Sequence, residues 1–111
     1  MGSSVSSTAR RVIMPAAREF VESAIAADTV VIFSKSSCPY CKMAKEVFDK
    51  LNQAYKAIEL NERKDGDEIQ DVLLEMTGAR TVPRVFIKGE CIGGGTDCKK
   101  MFDNGELQKK L

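Results

Sequence analysis

The sequence predicts an α/β domain built on a mixed four-stranded sheet with helices on its faces. Three observations carry that prediction. Residues 29–33 form an unbroken β-branched and aromatic run, apolar on both faces as a central buried strand requires. Residues 84–87 and 90–92 are two short strand-like runs separated by Lys88-Gly89, the spacing of a tight antiparallel hairpin. Around them, apolar residues recur at helical spacing in further stretches. The 111 residues hold one such domain, because a second core would need roughly another 50–100 residues.

Taken in order, residues 1–14 are small, polar and basic, and read as a flexible leader ahead of a domain of residues 15–111. Ala17, Phe20, Val21, Ala24 and Ile25 then mark an amphipathic helix opened by Pro15 in its first turn. Asp28 begins a turn, and the strand of residues 29–33 points into Ser34-Lys35-Ser36-Ser37-Cys38. Ala44, Val47, Phe48 and Leu51 repeat the helical spacing, so a second helix follows Pro39 and runs to about Gln53. Residues 55–60 alternate weakly and predict a second strand, followed by a charged loop over 61–66. Ile69, Val72, Leu73 and Met76 predict a third helix, with Asp65 or Asp67 near its start and Gly78 placed to cap its end. After the hairpin, Gly93-Gly94-Gly95-Thr96-Asp97 leads into a last helix carrying Met101 and Phe102 and stopped at Asn104-Gly105. The first strand-helix-strand unit crosses right-handed and parallel, whereas the closing hairpin is antiparallel.

Composition narrows the function. Lys and Arg total 17 against 16 Asp and Glu, a net charge of +1 that is too balanced for binding driven by phosphate neutralisation, so no nucleic-acid partner is expected. No apolar stretch approaches the ~20 residues of a membrane helix, so no transmembrane segment is expected. Four cysteines without a secretory apolar segment point to reduced thiols rather than a disulfide framework. The absence of histidine removes the usual base of a hydrolytic triad and the commonest nitrogen ligand of zinc. Chemistry falls to Cys, Lys, carboxylates and the backbone.

The sharpest signal is Cys38-Pro39-Tyr40-Cys41. Cys38 occupies the N-cap position and Pro39 the first helical position, where a missing N–H costs nothing. The free amides and positive end of the helix favour a Cys38 thiolate, as do Lys35, Lys42 and Lys45 in a stretch with no acidic residue between Asp28 and Glu46. A thiolate is the attacking species in disulfide exchange, and a stabilised one is also a better leaving group. Cys41, one turn inside the helix, is placed to resolve rather than to attack. Cys91 and Cys98 have a C-x6-C spacing without zinc-knuckle geometry; they read as small core or surface thiols, and no metal is expected.

With a strand before it and a helix after it, this motif resembles the active site of the dithiol glutaredoxins, and the resemblance extends from residue 30 to about residue 107. Lys35 before the nucleophile, Thr81-Val82-Pro83 after the third helix, and Gly93-Gly94 followed by Thr96-Asp97 match the family in order. Thioredoxins differ in usually carrying a tryptophan before, and a Gly-Pro pair between, their cysteines. The resemblance implies a thioredoxin-like three-layer sandwich and a cis peptide bond before Pro83. It also implies glutathione as co-substrate, bound by Lys35, Tyr40, Gln70, Arg80, Thr81, Val82, Pro83, Gly94, Thr96 and Asp97. In that arrangement the Val82 backbone pairs with the extended tripeptide. Thr96 and the helix amides hold its γ-glutamyl carboxylate, and Asp97 accepts from its amino group. Lys35 and Gln70, with Arg80 nearby, face the glycine carboxylate.

The activity so implied is glutathione-dependent thiol-disulfide oxidoreduction. Cys38 would attack protein-glutathione mixed disulfides by a monothiol route, and Cys38 with Cys41 would reduce protein disulfides by a dithiol route. Partners would be glutathionylated and disulfide-containing proteins, with glutathione reductase and NADPH supplying electrons indirectly to a monomeric enzyme. A different class of function, glutathione-ligated iron-sulfur cluster carriage through Cys38, is opposed by the rigid Pro39 beside the ligand. The cytoplasm is the expected location. The start at Gly2 also fits an N-myristoylation pattern, and the acid-free leader faintly resembles a mitochondrial presequence.

Overall fold

A computed structural model describes residues 15–111, so the predicted leader of residues 1–14 lies outside the described residues. The strands β1 (Val30–Ser34), β2 (Lys56–Glu59), β3 (Arg84–Ile87) and β4 (Glu90–Gly93) form one sheet in the order β2-β1-β3-β4. Its central strand β1 runs parallel to β2 and antiparallel to β3, which pairs in turn with β4. Every residue of β1 is buried, as its unbroken apolar character requires.

Alternation along β1 divides the core in two. Val31 and Phe33 join Phe86 beneath α1 (Pro15–Ala27) and α3 (Gly66–Thr77), which contribute Ala17, Val21, Ile69, Val72 and Leu73. The rings of Phe33 and Phe86 meet edge to face at 5.7 Å. On the other face Val30, Ile32, Val85 and Ile87 pack under α2 (Pro39–Lys50) and α4 (Gly95–Asp103), and Leu107 of a short α5 (Glu106–Lys110) closes that side. The result is the expected helix-sheet-helix sandwich with a mixed sheet.

Departures from the sequence expectation have local causes. The second helix stops at Lys50, before the predicted Gln53, because Asn52 takes a positive φ of 53° and the Gln53 N–H returns to the Phe48 carbonyl. The predicted charged loop is instead a single 3₁₀ turn, Leu60–Glu62, followed closely by α3. Gly78 caps α3 in the left-handed conformation, with φ of 84°. Met76, counted in the apolar stripe of that helix, is 36% exposed. Asn104-Gly105 ends α4 as predicted, but Gly105 turns the chain into α5, which five residues with one buried apolar side chain could not announce. Lys88 and Gly89 form the predicted hairpin with φ of 52° and 84°, the pair of positive values that a type I′ turn demands.

One glycine has a packing role that bears on the site. A Cβ on Gly66 would collide with the backbone carbonyl of Leu60, so the start of α3 and the 3₁₀ turn can close together only around a bare Cα. Gly66→Ala is expected to lower unfolding stability by about 1–2 kcal/mol in a urea titration, with the slope unchanged.

Candidate active site

The site is built at the end of the sheet where β1 delivers the chain to α2. Cys38 is the N-cap of α2, with extended backbone, and Pro39 follows at the first helical position. The Cys38 Sγ accepts the backbone N–H of Cys41 at 3.3 Å, so one of the free amides of the helix start is aimed at the sulfur, as the sequence predicts. Cys38 Sγ also lies 3.9 Å from the Val82 carbonyl oxygen, which brings a segment 44 residues away to the same sulfur. The Val82–Pro83 peptide bond is cis.

Cys38 is partly exposed, whereas Cys41 is fully buried behind it. Burial, and then the hydrogen bond with Cys38, push the Cys41 thiol above its ordinary pKa, while the Lys35 backbone N–H, 3.5 Å from its sulfur, works in the opposite direction. The two sulfurs therefore differ in setting: one accessible at a helix start, one buried and held as a thiol. Of the three lysines expected near Cys38, Lys45 is engaged elsewhere, with its Nζ 2.8 Å from Glu59.

Two grooves flank this point. One, of about 240 Å³, is lined by Tyr40, Thr81, Val82, Pro83, Gly94, Thr96 and Asp97, together with Arg84 and Gly95. It gathers seven of the predicted residues. Its floor depends on Gly95, where a Cβ would stand 2.9 Å from the Tyr40 carbonyl, so a bare Cα lets α4 approach the start of α2. Asp97 accepts the Gly94 N–H at 2.9 Å through one carboxylate oxygen, capping α4 across its first turn. Tyr40 is 59% exposed and stands beside the groove rather than in the core.

The second groove, of about 180 Å³, contains Lys35 and Gln70 alongside Asn61, Arg63 and Lys64. Gln70 is not the solvated side chain that a polar helix position suggests: it is buried and donates from Nε2 to the Arg80 carbonyl at 2.9 Å. Arg80 itself lines neither groove. Its guanidinium is held by Asp71 at 3.1 Å and Asp67 at 3.8 Å on the flank of α3.

These residues can be set against known proteins. Residues 30–92 match the glutaredoxin family model. Glutaredoxin-C4 of Arabidopsis thaliana is 50% identical over 93 residues, covering 84% of this chain and 69% of its own length. Glutaredoxin-2, mitochondrial, of mouse (Mus musculus) is 47% identical over 87 residues, or 78% of this chain and 56% of that protein. The chain belongs to the glutaredoxin family. Among solved structures, a buckwheat glutaredoxin-glutathione complex superimposes with a TM-score of 0.84 at 41% identity, covering 86% of this chain and 87% of that one. With membership comes the thioredoxin-like fold and the family's general role as glutathione-dependent thiol oxidoreductases.

In this glutaredoxin Arg84 is a groove residue that its strand pattern does not announce: its guanidinium reaches into the first groove, where Nε donates to the Pro83 carbonyl at 3.3 Å and Nη2 lies 3.0 Å from the position a Gly94 Cβ would take. The available signal was its place directly after Thr81-Val82-Pro83. Cys91 and Cys98 resolve into separate environments. Cys91 packs against the α1/α3 core and Cys98 lies fully buried in the α2/α4 core, so the sheet separates them.

Proposed function

We propose that this glutaredoxin reduces protein-glutathione mixed disulfides through Cys38 alone, and protein disulfides through Cys38 and Cys41 together. The observation that carries the reading is the pairing of a helix-capping, accessible Cys38 sulfur with a buried Cys41 directly beneath it. In the monothiol route Cys38 attacks the glutathione sulfur, the protein thiolate departs, and a second glutathione removes the first from Cys38 as glutathione disulfide. In the dithiol route Cys41 closes on Cys38 and glutathione reduces the internal bond. Glutathione reductase with NADPH returns the glutathione disulfide to thiol.

Glutathione, the ligand named for the buckwheat relative, is the proposed co-substrate here. Its extended backbone would pair with Val82, and its γ-glutamyl end would enter the groove of Thr81, Gly94, Thr96 and Asp97. Its glycine carboxylate would face Lys35, with Gln70 and the cations of the second groove beside it. Arg80, tied to two carboxylates, acts at most through the carbonyl it offers Gln70. Such a reaction belongs where glutathione is kept reduced, the cytoplasm or an organelle interior. Mass spectrometry of the native N-terminus separates a plain cytoplasmic form from a processed or acylated one.

The reading is tested by steady-state deglutathionylation of a model peptide, coupled to NADPH oxidation, for wild type and Asp97→Ala. Loss of one charge-assisted hydrogen bond, about 1.5–3 kcal/mol, predicts an increase in KM for the glutathionylated peptide of roughly tenfold to a hundredfold. A wild-type protein without turnover would refute the function, and an unchanged KM would remove Asp97 from the binding site.

A further inference from the structure

The loop that leads into Cys38 is fastened from outside, by residues that neither route employs. Lys35-Ser36-Ser37-Cys38 is a β-turn, closed by the Cys38 N–H donating to the Lys35 carbonyl at 3.0 Å. Such a turn leaves the N–H of its second residue without a partner inside the turn. Here that group, the Ser36 N–H, donates to Asn61 Oδ1 at 3.0 Å. The Ser36 hydroxyl donates to Glu62 Oε2 at 2.7 Å and lies 3.4 Å from the same Asn61 oxygen. Both acceptors belong to the 3₁₀ turn Leu60–Glu62, 25 and 26 residues further along the chain.

That 3₁₀ turn is itself a fixed support. Leu60 is buried in the α1/α3 core, and the bare Cα of Gly66 packs against its carbonyl. The Arg63 guanidinium lies 4.0 Å from the centroid of the Phe20 ring of α1 and bonds Asp65 at 2.8 Å, so the turn is held from its far end as well. The loop it fastens has less of its own to rely on, because Ser36 and Ser37 are both exposed. Among the described residues Lys35 makes no ion pair. Its ammonium therefore depends on the backbone beneath it for its place in the second groove, which Asn61 also lines.

We propose that Asn61 is a positioning residue, which holds the turn so that the Lys35 ammonium stands in the second groove to receive the glycine carboxylate of glutathione. The proposal rests on the Lys35 contact put forward above. A lysine is a point charge on a flexible stem, and a backbone free to wander would spread that charge over the rim. A cation in place for only part of the time binds its anion more weakly by that fraction. An amide suits the task, since it accepts the Ser36 N–H without setting a negative charge beside the incoming carboxylate. Glu62, which carries such a charge, is tied by the Ser36 hydroxyl and does not line the groove.

The test measures kcat/KM for wild type, Asn61→Ala, Lys35→Met and the double variant on two substrates. One is a peptide joined to glutathione by a disulfide; the other is the same peptide joined to glutathione whose glycine carboxylate is an ethyl ester. The ratio of the two values isolates recognition of the carboxylate and cancels general damage to Cys38. Wild type is expected to favour the free acid. Asn61→Ala should shrink that preference about threefold to tenfold, the range of one net hydrogen bond. In the Lys35→Met background it should shrink it no further, because a residue acting through Lys35 has nothing left to position. An unchanged preference in Asn61→Ala, or a loss that adds to that of Lys35→Met, overturns the positioning role alone. A wild type that takes acid and ester equally, or a Lys35→Met that keeps the wild-type preference, overturns the Lys35 contact and the positioning role with it. Should Asn61→Ala fail to fold, Ser36→Ala, which removes the hydroxyl half of the fastening at an exposed position, carries the same comparison.

Discussion

Cys38→Ser is expected to lower glutathione-dependent reduction of a glutathionylated peptide by at least about a thousandfold, with the fold intact. A serine hydroxyl at the same helix start is not ionised at neutral pH and forms no exchangeable bond to sulfur. Its oxygen can still accept the Cys41 N–H that the sulfur accepts at 3.3 Å, so the cap survives while the chemistry does not. Cys41→Ser is expected to behave differently, keeping the monothiol reaction and losing reduction of protein disulfides. The pair of variants assayed on both substrates separates the two routes. Loss of peptide deglutathionylation in Cys41→Ser would make the internal disulfide obligatory, and wild-type activity in Cys38→Ser would refute the assigned nucleophile.

The second large effect lies away from the reacting sulfurs. Burial pushes the Cys98 thiol up to about 11 from an ordinary value of 9.0, and the neighbouring Asp97 carboxylate adds to the rise. Because the folded protein holds this proton more tightly than the unfolded chain, Cys98 contributes fully to stability below pH 9. That contribution is lost as pH rises towards 11. Two pKa units correspond to about 2–3 kcal/mol. Urea unfolding of wild type should therefore weaken by about that amount across this window relative to Cys98→Ala, whose constant cavity cost leaves a flatter pH dependence. Iodoacetamide at pH 8 should label Cys38 and leave Cys98 untouched until the chain unfolds. Equal pH profiles for the two proteins, or native labelling of Cys98, would contradict the buried placement.

What the sequence disclosed follows from how far apart the interacting residues stand. The β-branched run of β1, the Lys88-Gly89 turn and the Gly78 cap each express a requirement met within a few residues, and all three appear in the structure. The Cys38 cap is likewise local, since its partner amide lies three residues on. The contacts that complete the site are not. Ser36 and Asn61 are 25 residues apart, Cys38 and Val82 are 44 apart, and nothing in either neighbourhood declares the partner. Gln70 shows the same limit on one helix. Its position beside Ile69 and Leu73 borders the apolar stripe, and burial there becomes tolerable only because the Arg80 carbonyl, ten residues away, accepts its amide. Arg84 was hidden for a converse reason, because a strand residue with period-two neighbours gives no sign that its long side chain leans back over the preceding proline.

The Lys88-Gly89 turn stands at the opposite end of the sheet from Cys38. The Lys88 N–H donates to the Thr29 carbonyl at 2.7 Å, just where β1 enters, whereas Cys38 follows where β1 leaves. Both turn residues are exposed, and no predicted glutathione contact lies among them. The molecule thus offers engineers a handle: a fluorescent reporter spliced between Lys88 and Gly89, or a surface tether attached there, would leave the thiol-bearing rim open to its clients.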